Sequence, residues 1–419
     1  MSASVRWWRE LGIALIYVSG LLYHTAIFNL ASSGVPLYFI GVGAMVFALA
    51  VRGRGPSLSD VSVLFFCVGA LLLASLAHIL MSKYSASEFT QLGARIFFLF
   101  SFFTCINFVR VFDPDGRVFI RSVKWLTVAY VLCGFYEFYA KRVGLAIPFD
   151  WIANNKSYSV ASGLNGGWLG ESAIRVRTFW AEPSSSVIPV LLSLFFIVKG
   201  WLFRSIIWNW IWFFLVLLYV IITGSRNIYL CALSMLVVLG VVRVIGRVNG
   251  GLVKPFFIFS SVLSVFMAFT WQLIVLTLFD DLSATGRASS VAVGLGIWVQ
   301  NIFFGTGYNT FDIESYRYSM AGALYTSETI IQNSILANLQ QAGLVGAIAI
   351  FAPLYMAINK TSARWRHLSP FWIALLILAA VSAGLEYSSA FWLLVSVFYA
   401  ASFGNDLVSD SRTRMNGAS

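Results

Sequence analysis

The sequence predicts an all-α polytopic membrane protein with about twelve transmembrane helices. Two long loops, after the fifth and ninth helices, are expected to carry short interfacial helices. Three observations point there. Hydrophobic residues make up 59% of the chain and charged residues 11%, where a soluble domain carries about 25% charged residues. Mean hydropathy is +0.83, more apolar surface than a water-soluble fold can hide. Finally, apolar runs near the ~20 residues needed for a span recur along the chain, and cationic loops alternate between them.

The runs cover 11–30, 35–51, 59–81, 89–109, 121–140, 184–203, 206–222, 228–245, 255–279, 331–357, 369–384 and 388–404. Only Leu385, Glu386 and Tyr387 split the last two, which leaves eleven spans as the alternative. With the N-terminus inside, inside loops hold Arg52/Arg54, Arg110/Arg117/Arg121/Lys124, Lys199/Arg204, Arg243/Arg247/Lys254 and Lys360/Arg364/Arg366. The short outside loops hold Lys83 and Arg226. That asymmetry follows the positive-inside rule and favours twelve helices with both ends cytoplasmic. The net charge of +11 is therefore read as topology and not as a nucleic-acid surface. The start "MSASVRWWRELGIALIYVSG" has a basic region but no small-residue cleavage site, so it reads as a retained helix. Residues 1–405 form a single integral membrane domain in this reading, and 406–419 a disordered cytoplasmic tail.

The four cysteines, Cys67, Cys105, Cys133 and Cys231, all fall in apolar runs without CxxC spacing and read as core thiols. The histidines are His24, His78 and His367. No His/Cys/carboxylate cluster has the spacing of metal ligands.

The segments 141–183 and 280–330 are long and lie outside, and long loops in compact proteins are usually functional. Within the second, "SSVAVGLGIWVQNIFF" reads as an amphipathic piece lying along the interface. Ionisable residues at membrane depth are costly and point to function. They are Arg95, Arg175, Arg177, Glu182, Arg226, Arg287, Glu328 and Glu386. Each also has a plainer reading. Arg226 snorkels from a turn. Glu182 favours a helix N-terminus, with Pro183 at the first helical position. Arg287 and Arg317 are solvated loop charges. Arg95 pairs with Glu137 or another core carboxylate. Gln332 and Asn333 are helix-packing amides. The tryptophans are mostly interface anchors, although Trp168 and Trp180, in or beside a long loop, also suit sugar stacking. What sets the arginines apart is that Arg175, Arg177, Arg226 and Arg287 share the outer side. Clustered guanidiniums bind phosphate bidentately, and at membrane level an anionic lipid headgroup suits them. A glutamate among them can act as a general base or orient a sugar hydroxyl.

Four stretches resemble the Wzy/O-antigen ligase superfamily of bacterial polysaccharide polymerases and ligases. "RTFWAEPSSSV" resembles its arginine, aromatic, glutamate-proline-serine run. "ITGSRNIYL" resembles its threonine-x-serine-arginine turn. "TGRASSVAVGLGIWVQNIFFGTGYNTF" resembles its Gly-Arg, Trp and Gly-x-Gly-x-x-x-Phe segment, and "QNSILANLQQAGLVG" its HNxxLxxLxxxGxxG helix. The resemblance covers roughly 170–350 by motif and the whole chain by architecture.

The resemblance implies a glycosyltransferase in the bacterial inner membrane, its active site facing the periplasm, using an undecaprenyl-diphosphate-linked glycan with no cofactor, nucleotide sugar or metal. Arg177, Arg226 and Arg287, with Arg175 weaker, would hold the diphosphate. The catalytic set would be Glu182, Arg177 and Arg287, and the substrate contacts Trp180, Tyr308, Glu328, Gln332 and Asn333. The expected partners are the lipid-linked donor and acceptor, membrane lipids and a chain-length regulator. Where ligases of this group have a histidine, this chain has Gln332, which cannot act as a base. That departure favours a polymerase over a ligase and leaves Glu182 as first and Glu328 as second choice of base. A lipid-linked glycan flippase is the alternative from another class; transporter-type repeats and broken midplane helices are not evident in the sequence.

Overall fold

The computed structural model describes residues 3–23, 25–30, 33–80, 86–153, 176–180, 183–203, 205–248, 282–308, 310–320, 326, 330–331, 333–360, 365–382 and 385–401, with isolated positions 255, 259, 262, 266 and 270. Among these residues are thirteen α-helices: α1 Ala3–Leu21, α2 Leu37–Val51, α3 Leu58–Leu80, α4 Ala86–Phe112, α5 Arg117–Val143, α6 Val187–Val198, α7 Ile206–Thr223, α8 Arg226–Val248, α9 Leu282–Gln300, α10 Phe311–Met320, α11 Ser334–Lys360, α12 Trp365–Val381 and α13 Ser389–Ala400. Six are long and apolar enough to cross a membrane: α3, α4, α5, α7, α8 and α11. This fits an all-α membrane protein.

Two compact units divide the chain. One comprises Met1–Gly55, Thr104–Leu233 and Ser389–Ser419; the other comprises Pro56–Phe103 and Ser234–Ser388. The division passes through α4 and α8.

In the first unit, α1 packs against α2, α5 and α13, and α5 against α6 and α7. Every residue of α6 from Val187 to Ile197 is buried, so it is a core helix apolar on all sides. Helix α7 is the reverse. Little of it is buried, and Trp208, Trp210, Phe214 and Leu218 face outward. An apolar surface of that kind suits hydrocarbon and not water. The turn between α4 and α5 is organised by Asp113. Its carboxylate accepts the Val118 N–H at 3.1 Å and the Phe119 N–H at 3.0 Å, satisfying donors at the start of α5, and the Tyr17 hydroxyl at 3.1 Å. Burial nonetheless pushes the Asp113 carboxyl above its ordinary pKa, against the pull of these three bonds.

In the second unit, α11 packs along α3, α9 and α12. It is interrupted at Gly343, whose φ of 64° and ψ of −168° are not helical. A side chain there would overlap the Phe303 carbonyl, so only glycine fits. Across this break the loop after α9 pairs with α11: Thr306 N–H donates to the Gln340 carbonyl at 2.8 Å, and Leu344 N–H to the Ile302 carbonyl at 2.9 Å.

Six of the described helices have full spanning length, and shorter apolar helices such as Val187–Val198 and Ser389–Ala400 stand where other spans were expected. Some expectations need correction. The run 11–30 is not one helix, because α1 ends at Leu21 and Ala26–Leu30 pairs antiparallel with Ser33–Pro36. Apolar runs do not by themselves separate helix from strand, and Ile27 and Phe28 favour the strand. Among the described residues the fold is thus all-α apart from this hairpin. Pro183 opens a 3-10 turn, Pro183–Ser186, and not the first turn of α6. The segment 280–330, expected as a loop with short interfacial helices, contains α9 and α10. The apolar face of α9 is covered by protein: Val291, Val293 and Ile297 pack with Phe311, Ile331 and Leu336. The turn Leu385–Tyr387 does separate α12 from α13. Most of the expected span 255–279, most of the loop 141–183 and the tail 406–419 lie outside the described residues.

Candidate functional site

The arginine segment of the first unit is a tight turn, Val176–Trp180. Thr178 adopts φ +54°, a conformation that a β-branched residue rarely takes. Such strain costs on the order of 1–3 kcal/mol and persists only where neighbours over-determine it. Here they do. The Glu137 carboxylate accepts the Arg177 N–H at 3.2 Å to each oxygen and the Thr178 N–H at 2.6 Å. The Thr178 hydroxyl shares a hydrogen bond with the Tyr219 hydroxyl at 3.1 Å. Trp180 N–H donates to the Arg177 carbonyl at 3.2 Å, and Val176 N–H to the Ile222 carbonyl at 3.3 Å.

Glu137 is fully buried. A buried carboxylate persists only when paired and hydrogen-bonded. Lys141, one turn along α5, supplies the charge, its Nζ 2.6 Å from Oε1. Three residues before Glu137, Gly134 leaves room for the approach: a Cβ there would lie 2.5 Å from the Tyr219 ring and 3.2 Å from the Thr178 hydroxyl oxygen. Sequence, helix packing and the turn are thus one unit of design: α5 offers a glycine and a carboxylate on one face, and the turn and α7 close on them.

Arg177 is half-buried in this turn, and Arg226 is exposed as the first residue of α8, directly after buried Ser225. The bond from Val176 to Ile222 brings together the backbone segments that carry these two arginines. Trp180, expected to contact substrate, is instead fully buried. Its ring packs against Tyr130 and Phe179, and its Nε1 donates to the Leu21 carbonyl at 3.3 Å. The reason is geometric: the positive φ at Thr178 turns the chain back over α5, and Trp180 follows it into the core.

Arg287 belongs to the second unit, exposed on α9 while its neighbours Ala288, Ser289 and Ser290 are buried. Ser289 donates to the Thr326 hydroxyl at 2.9 Å, which ties α9 to a residue of the following segment. Asn333 is fully buried, and its Oδ1 accepts the Leu336 N–H at 2.9 Å, the N-cap bond of α11. Tyr308, expected to contact substrate, is also fully buried. The Arg95 guanidinium sits 4.2 Å over its ring and 4.7 Å over that of Tyr387. Arg95 also donates to Gln341 at 2.6 Å, and Tyr387 to Gln91 at 2.7 Å. Its expected pairing with Glu137 is not formed, because Glu137 is taken by Lys141 and the turn. Arg175, Glu182, Glu328 and Gln332 lie outside the described residues, as does Trp168. The side chain of Glu386 does too.

Glu137 is the residue that reading the sequence undervalued. The available signal was "GFYEFYAK", a carboxylate inside an apolar helix with a lysine four residues on. That spacing shows the pair. It does not show the backbone amides 40 residues away.

Comparison of the chain with models of known protein families gives no match, and comparison with curated proteins gives none.

Proposed function

We propose that the chain is an inner-membrane glycosyltransferase of the Wzy/O-antigen ligase kind, a polymerase of undecaprenyl-diphosphate-linked oligosaccharide repeat units. The four motif stretches in chain order support this reading. The single observation that carries it is the turn at Arg177, laced through Val176 to the end of α7 that leads into Arg226. In this reading twelve spans keep both ends cytoplasmic, and the segments 141–183 and 280–330 are periplasmic.

The chemistry follows from the arginines. A hydroxyl of the acceptor repeat unit attacks the anomeric carbon of the donor glycan. A carbon–oxygen glycosidic bond forms as the bond from that carbon to the diphosphate oxygen breaks. The electron pair leaves with undecaprenyl diphosphate, and Arg177, Arg226, Arg287 and Arg175 stabilise the charge that develops there. The hydroxyl proton passes to Glu182, with Glu328 the second choice. Gln332 stands where ligases of this group carry histidine, which favours the polymerase.

The test is purified protein with a lipid-diphosphate repeat unit as the only substrate. A ladder of lengthened glycans is expected. Transfer to lipid A-core without laddering would make the chain a ligase. Movement of the lipid across a bilayer without any new glycosidic bond would make it a flippase. A reporter fused after Ser162 should read periplasmic, and a cytoplasmic signal would invert the topology.

A further inference from the structure

We infer that Glu137 is a positioning residue for Arg177: its buried carboxylate fixes the turn from which the guanidinium reaches a lipid diphosphate. The inference rests on the proposed role of Arg177, and it adds a residue from outside all four motifs.

Three features of the first unit lead to it. The turn is strained at Thr178, φ +54°, so it requires an external hold. Successive backbone N–H groups in such a turn form a cradle for an anion, and the anion in it is the side chain of Glu137, bonded to Arg177 N–H at 3.2 Å and Thr178 N–H at 2.6 Å. Finally, the carboxylate is fully buried and engaged by Lys141, so it is neither a base for the acceptor nor a ligand for substrate. Its action runs through the backbone of Arg177. Errors of about 1 Å in such positioning cost about 10²-fold in rate. A carboxylate is required, because its two oxygens accept from two amides and a lysine. Glutamine would aim an N–H₂ donor at one of these donors.

The experiment measures binding of undecaprenyl diphosphate to the full chain in detergent, for wild type, Arg177→Ala, Glu137→Gln and the double variant. Arg177→Ala is expected to weaken binding about tenfold or more. Glu137→Gln is expected to weaken it by a similar factor in the wild type and less than about twofold in the Arg177→Ala background, since residues acting through one contact are non-additive. Equal weakening in both backgrounds would make Glu137 a general stability residue and overturn the inference, as would unchanged binding in Glu137→Gln. Unchanged binding in Arg177→Ala would remove the diphosphate reading itself, and this inference with it. If Glu137→Gln does not fold, Tyr219→Phe serves, since it removes only the hydroxyl that Thr178 shares. Its expected effect is about threefold in wild type and none in Arg177→Ala. No effect in wild type, or the same effect in both, overturns the inference.

Discussion

Val176 donates its backbone N–H to the carbonyl of Ile222 at 3.3 Å. That bond joins a segment expected to bind phosphate to the end of the helix that precedes another. Arg177 and Arg226 are 49 positions apart in the chain, and the contact between their segments is a tertiary fact.

If these arginines serve a diphosphate, Arg177→Ala and Arg287→Ala should each reduce chain growth by about 10²-fold or more, with expression unchanged. Glycan ladders on gels read the outcome. Normal ladders from either variant would remove that residue from the diphosphate site.

Glu182→Gln should be much less active than wild type in the same assay, by about 10²-fold if the carboxylate is the base. Full activity would leave Glu182 as a residue that favours a helix start and nothing more.

Asp113 predicts a pH effect on stability. Burial raises its folded-state pKa above the ordinary 3.8. The folded protein therefore holds this proton more tightly than the unfolded chain. The contribution is fully present below pH 3.8 and is lost as pH rises through the folded value. Asp113→Asn cannot titrate. Melting of the detergent-solubilised protein from about pH 4 to 7 should show wild-type Tm falling relative to that of Asp113→Asn. Parallel curves would place Asp113 at its ordinary pKa.

Gly343→Ala should destabilise the second unit by at least about 2 kcal/mol, from a positive φ and an overlap with the Phe303 carbonyl together. The expected signature is a lower Tm. A wild-type Tm would mean that α11 can straighten at Gly343 without loss.

The long helices were legible because their signal is local. Leu58–Leu80 and Arg117–Val143 lie within a few residues of their hydropathy runs, and Gly224, at φ +58°, marks the turn before Arg226. The hairpin was not legible although it is local: Phe28 pairs with Val35 in the adjoining strand, and apolar character alone does not separate strand from helix. The burial of Trp180 and the place of Tyr308 under Arg95 depend on partners that no short window contains.

The sequence by itself determined that this chain is apolar enough for a bilayer, where most of its helices begin and end, and which cations fall at helix ends. It did so because hydropathy, glycine and proline act over a few residues. Only the tertiary structure decided that Glu137 grips the turn at Arg177, that Arg95 is held by two tyrosines and neutral amides, and that Gly343 breaks α11 to admit Phe303. A buried charge must find its partners wherever the packed chain brings them, and sequence spacing carries no record of that distance.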